Sequence, residues 1–255
     1  MADLNPTPNP SPMPETSRKS TPTEDEQLLN IPVGADVQAQ RKTSDSWRVL
    51  RIMGEFVWGF DNLQDVAGGV SIFGSARTKP DHPMYRAAEE TGRLFALAGV
   101  PVVTGGGPGI MEASNKGAFE AGGISIGCNI ELPHEQKSNP YLTRSLDFKF
   151  FFVRKMMFMK YAIGFVVFPG GFGTLDELFE ALTLMQTDKV TDFPVVLFGS
   201  EYWAGLVDWM KARMMAEGYI SPGDENLFTV TDDPHYAVRT LLDCRKRLGI
   251  KAVVP

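Results

Sequence analysis

The chain has 255 residues, 43% of them hydrophobic and 22% charged, enough apolar material for a well-formed soluble core. Its net charge of −6 argues against non-specific binding to nucleic acid, which calls for a basic face, although a local cluster can still hold a phosphate. Cys128 and Cys244 lie far apart, so the thiols are expected to stay reduced, as in a cytoplasmic protein.

Residues 1 to about 40 are rich in Pro, Ser, Thr and charge and read as a disordered tail, because too little apolar surface is available to offset ordering entropy. The opening residues lack the basic and apolar regions of a signal peptide. No run approaches the roughly 18 apolar residues of a membrane span. From residue 41 to the end the chain reads as one folded domain. Trp47, Leu50, Met53, Phe56, Val57 and Phe60 recur at helical spacing and predict an amphipathic helix.

After Gly68-Gly69 strands and helices alternate. Apolar strands are expected at 70–75, 100–107, 124–130, 163–168, 193–199 and 227–230, and helices at 84–98 and 110–121. The apolar run 148–152 reads as extended and leads into a short helix, RKMMFMKYA, opened by Arg154 and Lys155. Three more amphipathic helices follow, LDELFEALTLM, WAGLVDWMKARMM and HYAVRTLLDCRKR. Continuous apolar strands between amphipathic helices predict a doubly wound α/β fold of Rossmann-like topology, its mostly parallel sheet covered on both faces. Ligands bind such folds beyond the carboxyl ends of the strands, which brings 74–77, 104–109, 131–136 and 169–174 to one rim.

Three of those segments carry glycine turns. Gly74-Ser75-Ala76-Arg77 offers a hydroxyl and a guanidinium, and it reads equally as a plain turn with a solvated arginine. Gly105-Gly106-Gly107-Pro108-Gly109 stands between a strand and a helix, where backbone N–H groups can converge on an anion. Ile110 replaces the third glycine of a dinucleotide fingerprint, and no P-loop is present. Phe168–Glu177 (FPGGFGTLDE) is a strand end, a turn containing Gly170, Gly171 and Gly173, and an acidic helix start.

Glu177 has two readings. Thr174-x-x-Glu177 matches a capping box, which would make the glutamate structural. Three glycines ahead of it favour a ligand site instead. Arg154 and Lys155, placed at a helix start, oppose the macrodipole unless an anion lies near. The methionines at 156, 157 and 159 read as packing. No histidine, cysteine and carboxylate set has metal spacing, so no metal or cofactor is expected.

PGGFGTLDE at 169–177, together with the Arg154-Lys155 pair in VRKMMF, resembles the two-part signature of the LOG family, the cytokinin-activating nucleoside 5′-monophosphate phosphoribohydrolases. GGGPGIMEA at 105–113 and FGSAR at 73–77 are also similar to family segments, and the resemblance spans about residues 45–245. It implies hydrolysis of an N-glycosidic bond to free base and ribose 5-phosphate, with Arg154 and Glu177 catalytic. It also implies substrate contacts from Gly74, Ser75, Gly105–Gly107, Glu135, Lys155, Gly170, Gly171, Gly173, Thr174, Asp176 and Thr183, and a homo-oligomer, a dimer first. Asp176-Glu177 stands where the commonest plant-like form has Glu-Glu. Family members are often labelled lysine decarboxylases, and nothing in this sequence supports a pyridoxal phosphate enzyme. The rival reading is a non-catalytic carrier of a nucleotide or of molybdenum cofactor, which resembles the same fold. A regulatory nucleotide sensor is a third.

Overall fold

The computed structural model describes residues 23–29, 45–66, 68–132 and 137–250. A short helix α1 (Glu24–Leu29) and a long one, α2 (Asp45–Leu63), precede the sheet. The stretch read as a disordered tail therefore contains a described helix.

The sheet elements follow in the order β1 (Gly69–Phe73), α3 (Pro83–Leu97), β2 (Val102–Thr104), α4 (Ile110–Glu120), β3 (Ser125–Ile130), β4 (Arg144–Phe148), α5 (Phe151–Lys160), β5 (Ala162–Val167), α6 (Phe172–Gln186), β6 (Val195–Phe198), α7 (Ser200–Trp209), β7 (Phe228–Thr231) and α8 (Pro234–Arg247). All seven strands are parallel, in the order β4-β3-β2-β1-β5-β6-β7. The first half of the chain winds outward from β1 on one side. The second half starts again at β5 on the other. The strand order therefore reverses between β1 and β5, and a crevice opens there at the carboxyl ends, as in other doubly wound sheets.

Alternation along each strand divides the core. Val70 and Ile72 of β1 pack with Tyr85, Phe95, Ile110 and Leu241 under α3, α4 and α8. Phe73 packs on the opposite face with Phe158, Phe165, Leu178 and Trp203, Phe158 and Phe165 meeting its ring edge-on at 5.1 and 4.8 Å. Helices α3 and α4 approach backbone to backbone at two glycines: a Cβ at Gly92 would fall 2.1 Å from Ser114 O, and one at Gly117 1.8 Å from Glu89 O.

Two expectations need correction. The strand β4 was not foreseen, because RSLDF alternates polar and apolar residues and pairs only with β3 at the sheet edge. Helix α5 begins at Phe151, three residues before Arg154, so the run 148–152 is not extended throughout. Val153, Met157 and Phe158 form its buried stripe, and the amides at its start are capped from elsewhere in the chain.

Candidate active site

The crevice between β1 and β5 holds a cleft of about 620 Å3 lined by the loops after β1, β2, β3 and β5 and by α5 and α6. Gly74 and Ser75, Gly105 and Gly107, Arg154, Gly171, Gly173, Thr174 and Glu177 all line it. Four segments scattered over a hundred residues thus meet as the topology predicts.

Each loop is fixed by contacts that the local sequence does not announce. Ser75 N donates to Pro169 O at 2.9 Å, and Ile110 N donates to Ser75 O at 3.1 Å, so the β1 loop is tied to both neighbouring glycine turns. The β2 loop is held by a buried polar network. Thr104 Oγ1 donates to Asn115 Oδ1 at 2.5 Å and accepts from Gly106 N at 3.0 Å. Asn139 N donates to Gly106 O at 2.8 Å, and its side-chain amide bonds Gly107 O and Asn115 Oδ1. Gly106 is therefore a structural residue. Its φ of +71° suits glycine, a Cβ there would strike Asn129 Oδ1, and its N–H is already engaged.

The turn after β5 opens α6 at Phe172, with Gly171 as N-cap and no side-chain cap bond. Thr174 is the third helical residue and Glu177 the sixth, so the capping-box reading fails. Thr174 N and Leu175 N both donate to Gly171 O at 3.0 Å. The earlier amides of a helix have no intrahelical partner, so those of Phe172 and Gly173 are of the kind that can take an anion, beside the cleft. A Cβ at Gly171 or Gly173 would meet nothing within 4 Å, so the chain's own packing does not explain either glycine. Gly170 differs: its Cβ would lie 2.1 Å from Thr174 Oγ1, and its carbonyl accepts from Tyr202 OH.

Glu177 is 4% exposed, and its Oε2 is buried without a hydrogen-bond partner. Burial pushes its carboxyl up to about 7, against the pull of Lys155 and then Arg154. Arg154 is half-buried, with its Nε enclosed and unpartnered. Its guanidinium lies 4.9 Å from the Phe151 ring centroid and 5.5 Å from that of Phe158, stacked where a planar cation is favoured. Desolvation lowers its pKa and the Glu177 charge opposes that, while an arginine stays cationic in any case.

Other expected contacts lie elsewhere. Lys155 Nζ bridges Asp176 and Glu180 at 3.0 and 2.9 Å, tying α5 to α6. It acts on the cleft only through its charge on Glu177. Asp176 is its partner and does not line the cleft. Thr183 does not reach it either: two turns further along α6, its hydroxyl donates to Phe179 O at 2.7 Å and it borders a separate apolar cavity of about 80 Å3. Glu135 lies outside the described residues. Asn129, Met111 and Lys137 line the cleft and were not anticipated as site residues. Asn129 is oriented by its amide donating to Ser145 Oγ at 2.8 Å and Asp147 Oδ1 at 3.0 Å, which depends on the unforeseen β4.

Residues 111–241, about half of the chain, match the model of the family described as "possible lysine decarboxylase". The chain belongs to this family, the LOG family. Among its curated relatives is a cytokinin riboside 5′-monophosphate phosphoribohydrolase of Mycobacterium tuberculosis, 29% identical over 182 residues, which are 69% of this chain and 95% of the relative. An Arabidopsis thaliana protein of the same name is 29% identical over 163 residues, 62% of this chain and 74% of its own. Two solved structures share the fold. TM1055 has a TM-score of 0.54 at 24% identity, covering 69% of this chain and 99% of its own. The molybdenum cofactor carrier protein of Chlamydomonas reinhardtii has a TM-score of 0.52 at 22% identity, covering 71% and 99%. The matched segment begins one residue after Ile110 and contains Arg154 and Glu177, both parts of the signature.

Proposed function

We propose that this LOG-family chain is a nucleoside 5′-monophosphate phosphoribohydrolase, releasing a free base and ribose 5-phosphate, with cytokinin-type nucleotides among its candidate substrates. The observation that carries this reading is the buried, unpartnered Glu177 carboxyl beside Arg154 in a cleft whose rim is an anion-binding helix start. A carrier needs the cradle but has no use for a carboxyl whose pKa is held near 7.

In this reading the phosphate is held by the α6 amides and the glycine turns, supplying binding energy away from the reacting carbon. Cleavage of the bond between C1′ and the base nitrogen builds oxocarbenium character on the ribose. Glu177, when ionised, faces that positive charge and takes a proton from the attacking water. The water oxygen bonds C1′, the departing base keeps the electron pair, and the base nitrogen takes up a proton. Arg154 supplies positive charge near the developing anion, in a site where low solvent access strengthens it.

We propose further that a second copy of the chain covers the apolar face formed by Trp47, Leu50, Met53 and Val57 of α2 with Phe152 and Met156 of α5, all exposed. Helix α2 also packs Ile52, Phe56 and Phe60 into the core, so it is apolar on two faces, and a contiguous exposed patch of this kind marks an interface. The test of the activity is incubation with a panel of nucleoside monophosphates and chromatography for free base. Tight nucleotide binding without release would favour the carrier or sensor reading.

A further inference from the structure

Helix α5 carries Arg154 and Lys155 within its first five residues and has no acidic residue in its first turn and no side-chain cap of its own. Its free amides and its two cations both call for negative charge. That charge comes from before the sheet. Glu55 of α2 accepts from Lys149 N at 2.6 Å and from Phe150 N at 3.2 Å. Asp25 of α1 accepts from Phe151 N at 3.1 Å. Two carboxylates thus hold three consecutive amides at the entry to the helix, across 94 to 126 positions of sequence.

The helix that carries Asp25 is itself held in place. Glu24 pairs with Arg51 of α2 at 2.7 Å, and Leu28 packs against the core. Asp25 also exerts a charge effect on Arg154. Phe151, whose amide Asp25 caps, lines the cleft and lies under the Arg154 guanidinium. Burial lifts the Asp25 and Glu55 carboxyls above their ordinary range, against the amides that stabilise their charge. The docked arrangement is therefore opposed by desolvation and held by hydrogen bonds and packing.

We propose that α1 and α2 form a strap whose Asp25 and Glu55 carboxylates fix the start of α5 and so position Arg154 at the cleft. Both are positioning residues. The part of this inference that concerns turnover rests on the hydrolase reading, and the part that concerns the helix start does not.

The test uses the full chain with Asp25→Ala, Asp25→Asn and Glu55→Gln. Amide hydrogen exchange is followed over 149–155, with 162–167 of β5 as an internal measure of folding, and base release from AMP is measured alongside. Loss of a cap of this kind corresponds to roughly fivefold faster exchange at 149–155, with β5 unchanged. Asp25→Asn, which keeps an acceptor oxygen, recovers part of the protection. The kcat falls about fivefold to tenfold in Asp25→Ala, with KM within about twofold of wild type. Wild-type exchange at 149–155 in both Asp25→Ala and Glu55→Gln overturns the strap. Faster exchange with unchanged kcat overturns its positioning role. A wild-type protein that releases no base counts against the hydrolase reading instead, and exchange at 149–155 then decides whether the strap exists.

Discussion

Arg154 and Glu177 line one cleft, each with a buried polar atom that has no hydrogen-bond partner, and they form no direct ion pair among the described residues. Two opposite charges this close in a poorly solvated site ordinarily pair or neutralise. Here each is balanced from behind instead: Arg154 by aromatic rings and Glu177 by the charge of Lys155.

That arrangement has a cost in stability. The Glu177 carboxyl is raised from 4.5 to about 7, so between those values the folded chain binds more protons than the unfolded one. Stability therefore falls as pH rises through this window. The cost is on the order of 3 kcal/mol when complete at pH 8. Glu177→Gln removes it. Thermal unfolding is expected to show the variant more stable than wild type by several degrees at pH 8, with the gap closing toward pH 4.5. Equal melting temperatures at both pH values would contradict the burial argument.

Activity should show the same group with the opposite sign. Glu177 must be ionised to act as a base, so kcat/KM is expected to rise with pH to a plateau through an apparent pKa near 7. The substrate phosphate titrates in a neighbouring range, so the decisive comparison is Lys155→Met. Lys155 is the strongest influence holding the Glu177 pKa down. Its loss moves that limb to higher pH, whereas the phosphate is unaffected. An unshifted profile in the variant would separate Lys155 from the site altogether.

Adjacent glycines in the β5 turn are expected to behave differently. A Cβ at Gly171 or Gly173 meets nothing, while one at Gly170 collides with Thr174 Oγ1. Gly171→Ala and Gly173→Ala should therefore leave the melting temperature within a few degrees and raise KM for AMP, since the added methyl stands in the proposed phosphate site. Gly170→Ala should lose stability by about 1–3 kcal/mol. Thermal melts of the three variants, followed by KM for the stable ones, distinguish the two roles.

For the proposed assembly, Val57→Asp places a charge on the exposed α2 stripe, on a side chain 67% exposed, without touching the core. Light scattering on the purified chain is expected to give an oligomer for wild type and a smaller species for the variant. Identical masses would remove that face from any interface.

Much of the architecture was legible because parallel strands buried on both faces read as unbroken apolar runs, as β1, β2, β3, β5 and β6 do, while β7, half-exposed at the sheet edge, still showed as a short apolar stretch. β4 did not, since an edge strand carries polar residues such as Arg144 and Asp147. The start of α5 was misplaced for a related reason: its caps, Asp25 and Glu55, are remote in sequence, so no local signal marks Phe151. The signature residues Arg154 and Glu177 reached the cleft together, but what separates Glu177 from a capping glutamate is the helix start at Phe172 and the burial of its carboxyl, neither of which the local sequence marks. Thr183 and Asp176 were carried over from the family resemblance, yet helical rotation turns Asp176 to Lys155 and Thr183 toward another cavity. Asn129 and Asn139 gave no signal, because their roles come from pairing with strands and loops that are distant in the chain.

The most direct test compares wild type with Glu177→Gln for adenine and ribose 5-phosphate formation from AMP and from isopentenyladenosine monophosphate, with circular dichroism confirming the fold. The account predicts stoichiometric release of base and sugar phosphate by wild type. It predicts a loss of about 10²- to 10³-fold in kcat for the variant, with nucleotide still bound. Release at the wild-type rate by folded Glu177→Gln would contradict it.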